Sequence, residues 1–485
     1  MITAKTLDKI RSLAGKENFF DSPEHKRVYS YDGTPLVSQL PTAIVRPQTK
    51  EQLSALVQLA NNEQFALVPR GSGTGLSGGS IPTEDSIVVL TNHWNSIIEI
   101  DEKNLATWVE PGVLTAQLQT AVESIGLFYP PDPGSAAIST IGGNVAENAG
   151  GLRGLKYGVT KNYVLGMEVV LPNGQILQLG GKSVKDVAGY NLKDFLIGSE
   201  GTLGIFTRIL LKLIPKPETS STMLVFFDKL ADAGETVADI IASRISPATL
   251  EFLDNTTINC VEKYAHLNLP TNIEALLLIE LDGHPVVVQE DTEKISILCR
   301  KHKASEFKIA QNAEEAMKLR SARKVAFSAL ARVKPTTILE DATVPRSEMV
   351  VMLDRIQSIV RKYGLLFGNF GHAGDGNLHP TCLTDERDSS EIRRAENAFN
   401  EIFTEAVKLG GTISGEHGIG LAKRQFLEKL TPPPAIEMMR RIKKSIDPNS
   451  VLNPGKIFSL KPHCEGPMPK NAAQIKQYLD AGAFT

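Results

Sequence analysis

Cysteine is scarce: four among 485 residues, at Cys260, Cys299, Cys382 and Cys464, with no CxxC pair. That spacing argues against a disulfide framework or an iron–sulfur or thiolate metal site, and suits a reducing compartment. No apolar run approaches the about 18 residues of a spanning helix, and the opening stretch, Met1 to Ile10, mixes charged with apolar residues. Neither a membrane span nor a secretory leader is therefore expected. A dominant charge is missing as well: 52 Lys and Arg face 55 Asp and Glu, for a formal net charge of -3. Without a clustered basic excess there is no electrostatic footprint for nucleic acid. What remains is an ordinary globular composition on a chain too long for one core. The expectation is a cytoplasmic enzyme of two or three domains, peripheral to a membrane only through a partner.

Secondary-structure signals divide the chain. Up to residue 215, short strands (Ala43 to Arg46, Phe65 to Pro69, Ile87 to Leu90, Ile97 to Ile100, Ala106 to Val109) alternate with helices and glycine-rich stretches. Thr49 with Gln52 predicts the start of a helix running to about Glu63, and Thr115 predicts the cap of another ending near Gly126. Pro215-Lys-Pro217 marks a boundary. Beyond it, strands at Met223 to Phe227, Thr249 to Leu253 and Leu276 to Leu281 interleave with helices at Leu230 to Ser243 and from Val286, in a βαββα order. That order predicts a ferredoxin-like layer. Further helices are expected over 313–330, 347–363, 390–409 and 436–445. The division is 1–215, 216–430 and a C-terminal segment, 431–485, that returns to the first part; the overall class is α+β.

Three glycine patches crowd the first part: Arg70 to Ser80, Ser139 to Gly151, and Gly189 to Ile205. Glycine lets backbone N–H groups approach and converge on a phosphate. The first patch contains GxGxxG from Gly73 to Gly78, but a dinucleotide fold of that type needs a helix to open there. Ser77-Gly-Gly-Ser-Ile-Pro82 follows instead, a poor helix former. Three patches in one domain suggest an extended dinucleotide lying against backbone.

Together with Pro131-Asp-Pro-Gly134 and Ile197-Gly-Ser-Glu-Gly-Thr-Leu-Gly-Ile205, these patches resemble the FAD-binding domain of vanillyl-alcohol-oxidase-type flavoproteins. Within them the chain resembles the branch of D-lactate dehydrogenases, glycolate oxidase flavin subunits and D-2-hydroxyglutarate dehydrogenases, over residues 20 to 458. The resemblance implies that Arg70, Gly71, Ser72, Gly73, Thr74, Gly75 and Leu76 hold the pyrophosphate. It places the pyrophosphate and ribityl chain against Pro131, Asp132, Gly142, Gly143, Asn144, Asn148, Gly150 and Gly151. The adenosine side falls to Gly198, Glu200, Gly201, Gly204 and Ile205. Thr74 stands where covalent relatives carry a flavin-linked histidine, which implies non-covalent FAD.

Phe370-Gly-His-Ala-Gly-Asp-Gly-Asn-Leu-His379 reads without any family. Asp375-Gly376 is a two-residue hairpin signal. With that turn, His372 pairs directly with His379, and opposed residues on one face have Cβ atoms about 4.5–5.5 Å apart. Two imidazoles so placed can grip one metal ion. Ser414-Gly-Glu-His-Gly-Ile-Gly420 supplies an acid and an imidazole between glycines. Glu416 completes a His/His/Glu set suited to zinc, with manganese or iron acceptable, and leaves His417 free as a base. Asp375 could instead be read as a ligand, but the hairpin makes it a turn residue. In the resembling enzymes His372, His379 and Glu416 fall on metal-ligand positions and His417 on the base.

The chemistry implied is oxidation of a D-2-hydroxy acid to the 2-oxo acid. A metal would hold the hydroxyl oxygen, His417 would take its proton, and the Cα hydride would pass to flavin N5. Arg323 resembles the arginine that fixes the substrate carboxylate, with Arg320 as the alternative register. Hydroxyglutarate-specific relatives carry polar groups where this chain has Leu339 and Phe327, while Thr381 stays polar; a short monocarboxylate, D-lactate or glycolate, is expected. The electron acceptor would be an electron-transfer flavoprotein, a quinone or an iron–sulfur subunit. An oxygen-using oxidase, or a flavin subunit of a multi-subunit electron-transfer complex, is the alternative.

Overall fold

In the computed structural model residues 2–459 are described; Cys464 and the C-terminal segment from 460 onward lie outside them. The first sheet joins Ala43–Val45, Ser86–Leu90 and Ala66–Arg70 in parallel and adds Phe19–Phe20 antiparallel at its edge. Parallel neighbours need a crossover, and helix Lys50–Glu63 supplies it. It begins where the Gln52 N–H donates to the Thr49 hydroxyl at 3.2 Å, while the Gln52 side chain accepts from the Gln48 N–H at 2.8 Å. Leu53, Leu56, Val57 and Ala60 recur at helical spacing and are buried against the strands.

A second, antiparallel sheet runs Ile97–Asp101, Ala106–Val109, Ile205–Lys212, Val164–Val170, Ile176–Gly180. The first glycine patch is a loop, whereas the second contains the helix Ile141–Glu147 and the third the helix Leu192–Leu196. No helix opens in residues 71–85, so the GxGxxG stretch does not open a Rossmann-type dinucleotide fold, as its sequence predicts. Thr115 is not a cap. It is the first residue of helix Thr115–Glu123, and its hydroxyl donates to the Ser139 carbonyl, binding the helix to the second glycine patch.

Beyond Pro217 one antiparallel sheet dominates. Its order is Glu306–Ile309, Thr219–Phe227, Ala275–Gly283, Thr249–Asp254, Leu366–His372, Asn377–Thr384, Thr336–Leu339, with Ala342–Thr343 also pairing to Asn377–Thr384. The first four strands have the 4-1-3-2 order of a ferredoxin-like layer. Within this layer one helix was not legible: Asn255–Ala265, between the second and third of these strands. Its consecutive β-branched Thr256, Thr257 and Ile258 are weak helix formers, yet Asp254 caps it by accepting the Thr257 N–H at 2.8 Å. The helix expected over 313–330 is two, Ala313–Lys324 and Ala326–Leu330, meeting at Val325.

Alternation along the strands gives the large sheet two apolar faces. Met223, Val225, Phe252 and Leu277 pack under the helices at Leu230–Ala242, Pro285–Lys301, Met349–Tyr363 and Ser389–Lys408. Leu224, Leu253, Leu278 and Phe370 pack under Asn255–Ala265 and the helix pair at 313–330. The second face carries the polar site. Helix Pro433–Ile446 leads the chain back: Lys443 Nζ donates to the Thr202 carbonyl, and Asn453 Nδ2 to those of Gly79 and Glu200.

Candidate active site

Strand register builds the site from four elements. His372 lies opposite Glu251 on one side and Asn377 on the other, and Asn377 lies opposite Thr343. Two residues along, Leu253, Phe370 and His379 form the next row. This corrects the expected pairing: His372 is not opposite His379, because the hairpin turns over four residues, Ala373 to Gly376, rather than two. Gly376 adopts φ +79° with the Val344 carbonyl packed where a Cβ would project, so the wider turn folds against the neighbouring strand. The shift is two residues, an even number, which keeps both histidines on one face as diagonal neighbours. Their ring centroids lie 5.0 Å apart and nearly perpendicular.

Glu416 completes the group. Its Oε1 lies 3.1 Å from His372 Nε2 and 3.3 Å from His379 Nε2, and the three ligand atoms fall within 4.8 Å of one another. A tetrahedral ion with bonds of about 2.0–2.1 Å has ligand–ligand edges of about 3.3 Å, which the two separations from Glu416 to the histidines match. Burial alone would depress His372, but Glu251 and Glu416 on either side hold it well above its ordinary value. Burial pushes His379 down to about 4, so this imidazole is neutral and available as a ligand. Glu416, despite burial, is held well below the carboxylate range by the histidines, His372 foremost.

The Glu416 loop is held in place by Asp341, fully buried in Glu340-Asp-Ala-Thr-Val-Pro345. Asp341 Oδ2 accepts the backbone N–H groups of Gly415 at 2.7 Å, Glu416 at 2.8 Å and His417 at 3.3 Å. Its other oxygen accepts from the buried ammonium of Lys423 and from Ser414 Oγ. His417 stacks on His379 with centroids 5.1 Å apart; its Nδ1 lies 3.7 Å from Asp341 Oδ1 and its Nε2 3.8 Å from Glu416 Oε1. Burial lowers its pKa below the usual 6.5.

Arg323 reaches the same face. Its Nε donates to Glu251 Oε2 at 2.6 Å, and its guanidinium lies over the Phe370 ring at 4.5 Å. Arg320 goes elsewhere, pairing with Glu280 and donating to Thr222. Of the pair, only Arg323 joins the histidine network. Thr381 is fully buried with its hydroxyl donated to the His379 carbonyl, and Leu339 lies opposite it. Phe327, by contrast, is 38% exposed and lines no closed apolar wall. Glu251, Asp341 and Lys423 are the residues that sequence reading missed. The available signal was Glu251, a carboxylate among apolar residues in a strand, Thr249–Asp254, that pairs with the histidine strand.

The glycine patches meet one another here. The Gly198 N–H donates to the Val145 carbonyl at 2.9 Å and that of Glu200 to Ala146 at 2.8 Å, while Gly71 abuts Thr140. Gly150 packs so closely on Glu416 that a Cβ there would stand 2.7 Å from its Oε2. The second patch therefore runs directly past the His/His/Glu group. Several side chains read as cofactor contacts are engaged elsewhere. Asn144 donates to Thr115, Asn148 accepts from the Lys161 N–H, and Asp132 lies 3.9 Å from Arg153. Ile205 is buried at the start of its strand, and Gly142 packs on Pro111. Glu200 accepts the N–H groups of Ile419 and Gly420 at 2.7 and 2.6 Å, tying the third patch to the Glu416 loop. The remaining cradle, with the buried hydroxyls of Ser77 and Ser199 unpaired among the described residues, fits a ligand that lies along backbone and offers polar atoms.

Residues 41–180 match an FAD binding domain, and residues 216–457 match the C-terminal domain of FAD linked oxidases. The chain belongs to the FAD-linked oxidases. It is 52% identical over 459 residues to the glycolate oxidase subunit GlcD of Bacillus subtilis, covering 95% of this chain and 98% of that one. It is 33% identical over 468 residues to a D-lactate dehydrogenase of Anaerostipes hadrus, covering 94% and 98%. Among solved structures, p-cresol methylhydroxylase superposes with a TM-score of 0.78 at 20% identity, over 94% of this chain and 97% of that one. The fold is thus of the vanillyl-alcohol-oxidase type with a ferredoxin-like second layer, and this FAD-linked oxidase is an oxidoreductase. No helix among the described residues is long and apolar enough to cross a membrane.

Proposed function

We propose that the chain oxidises a short D-2-hydroxy acid, glycolate or D-lactate, to its 2-oxo acid and passes the electrons to a partner protein or quinone. The observation that carries this reading is the convergence of His372, His379, Glu416, His417 and Arg323 on one face of the large sheet, beside the glycine cradle. Bound FAD would supply the oxidising centre, and a divalent ion on His372, His379 and Glu416 would supply Lewis acidity at the substrate hydroxyl. Arg323 gives its Nε to Glu251, which leaves the terminal guanidinium nitrogens for a carboxylate. His417 takes the hydroxyl proton. Asp341 beside Nδ1 favours the tautomer with hydrogen there, leaving Nε2 as the acceptor on the Glu416 side.

Chain length of the substrate follows from charge. A second carboxylate buried without a partner costs several kcal/mol. Arg320 is engaged by Glu280, and Lys423 by Asp341 and Glu340. The relatives named as glycolate oxidase subunit and D-lactate dehydrogenase agree with a monocarboxylate. The test is anaerobic mixing of the purified flavoprotein with glycolate, D-lactate, L-lactate and D-2-hydroxyglutarate. Glycolate or D-lactate should bleach the flavin absorbance; preferential bleaching by hydroxyglutarate, or by none of the four, contradicts the reading.

A further inference from the structure

Glu251 stands in the middle of Thr249–Asp254, a strand buried along all six residues, and its side chain has no exposure. Its two oxygens serve two different groups. Oε1 lies 2.6 Å from His372 Nδ1, and Oε2 accepts from Arg323 Nε at 2.6 Å. His372 is its direct neighbour across the ladder, whereas Arg323 comes from the helix Ala313–Lys324 laid over that face. One carboxylate thus joins a proposed metal ligand to the proposed substrate-binding cation.

We propose that Glu251 is a positioning residue that sets the metal ligand His372 and the arginine Arg323 in one shared geometry. A hydroxy acid gripped through its carboxylate then brings its hydroxyl to the metal-binding histidines. This rests on the functional reading above. In the neutral form that binds a metal, an imidazole that donates Nδ1–H to a carboxylate presents a bare Nε2, the atom that here faces Glu416. The guanidinium, with Nε committed to Glu251 and one face on Phe370, can rotate little; its terminal nitrogens are the parallel pair that a carboxylate accepts from. In a 2-hydroxy acid the carboxylate and hydroxyl sit on adjacent carbons, so their receptors must be fixed relative to each other. Glu251 is the atom-level link that does so. A merely structural ion pair, holding helix to strand, would affect stability alone.

Glu251→Gln separates the two. The carboxamide keeps the shape, but His372 and Arg323 face different oxygens, so one of them would meet an NH2 donor instead of an acceptor. In the purified flavoprotein, zinc affinity by chelator competition should fall by about 10–100-fold. KM for glycolate should rise with it, while most of kcat returns at saturating zinc and glycolate, because His417 and Asp341 are untouched. Glu251→Asp, which keeps both acceptors with a shorter reach, should recover part of the lost zinc affinity. Wild-type zinc affinity and KM in Glu251→Gln would overturn the proposal, as would a fall in melting temperature with both constants unchanged. Should Glu251→Gln not fold, Glu251→Asp decides: weaker zinc binding and higher KM in a folded protein support the link, and wild-type values refute it. Wild-type protein that binds no divalent metal, or is reduced by neither glycolate nor D-lactate, defeats the functional reading itself, an outcome visible before any variant is made.

Discussion

His417 sits where burial and two carboxylates compete. Burial lowers its pKa, and Asp341 and Glu416 only partly restore it, so the ring is neutral at pH 7. A base of this kind works in its unprotonated form. Flavin reduction should therefore be level near neutral pH and fall as pH drops through a midpoint below 6.5, measured by stopped-flow mixing across pH 5 to 8. A general base contributes about 10²–10⁴-fold to rate. His417→Ala should slow flavin reduction by that order with its metal content unchanged; reduction within a few-fold of wild type would place the base elsewhere. At this scale the sequence was legible where residue type and spacing carry chemistry: His372, His379, Glu416 and His417 lie together. It was not legible for Glu251 and Asp341, whose meaning depends on which strand lies beside them. A carboxylate in a strand says nothing of its neighbour until pairing sets it against His372.

Among elements, the hairpin and the Glu416 loop show two ways of fixing a site. The hairpin was foreseen from Asp375-Gly376, but its register was not, because the dipeptide does not dictate turn length. The face survived because the register moved by two. The Glu416 loop has no ladder; Asp341 accepts three consecutive backbone N–H groups of it and Glu200 two more. Burial would raise Asp341, but Lys423, with His417 and His379 behind it, holds it well below the usual carboxylate range. Breaking a buried pair on one side costs about 3–5 kcal/mol, since the other charge stays buried. Asp341→Asn should thus lower the denaturant midpoint and also release the metal, as Glu416 loses its anchor. Wild-type stability with full metal occupancy would show that the glycines, not Asp341, define the loop.

For the whole molecule, the junction matters most. The first-half glycine cradle, the large sheet and the Glu416 loop meet through Gly150 against Glu416 and Glu200 against Gly420. Glycine density announced a nucleotide cradle and the βαββα order a second layer, but nothing in the linear order of residues said that residue 150 touches residue 416. With Thr74 in the first patch, we predict a flavin held without a covalent bond. Acid precipitation should release all yellow colour to the supernatant as FAD, and colour kept in the pellet would refute this. The most direct test of the account is flavin reduction by glycolate or D-lactate in anaerobic single turnover, before and after chelator treatment. The account predicts that stripping the metal abolishes reduction while FAD stays bound, and that zinc or manganese restores it. Full-rate reduction by protein shown to be metal-free would contradict it.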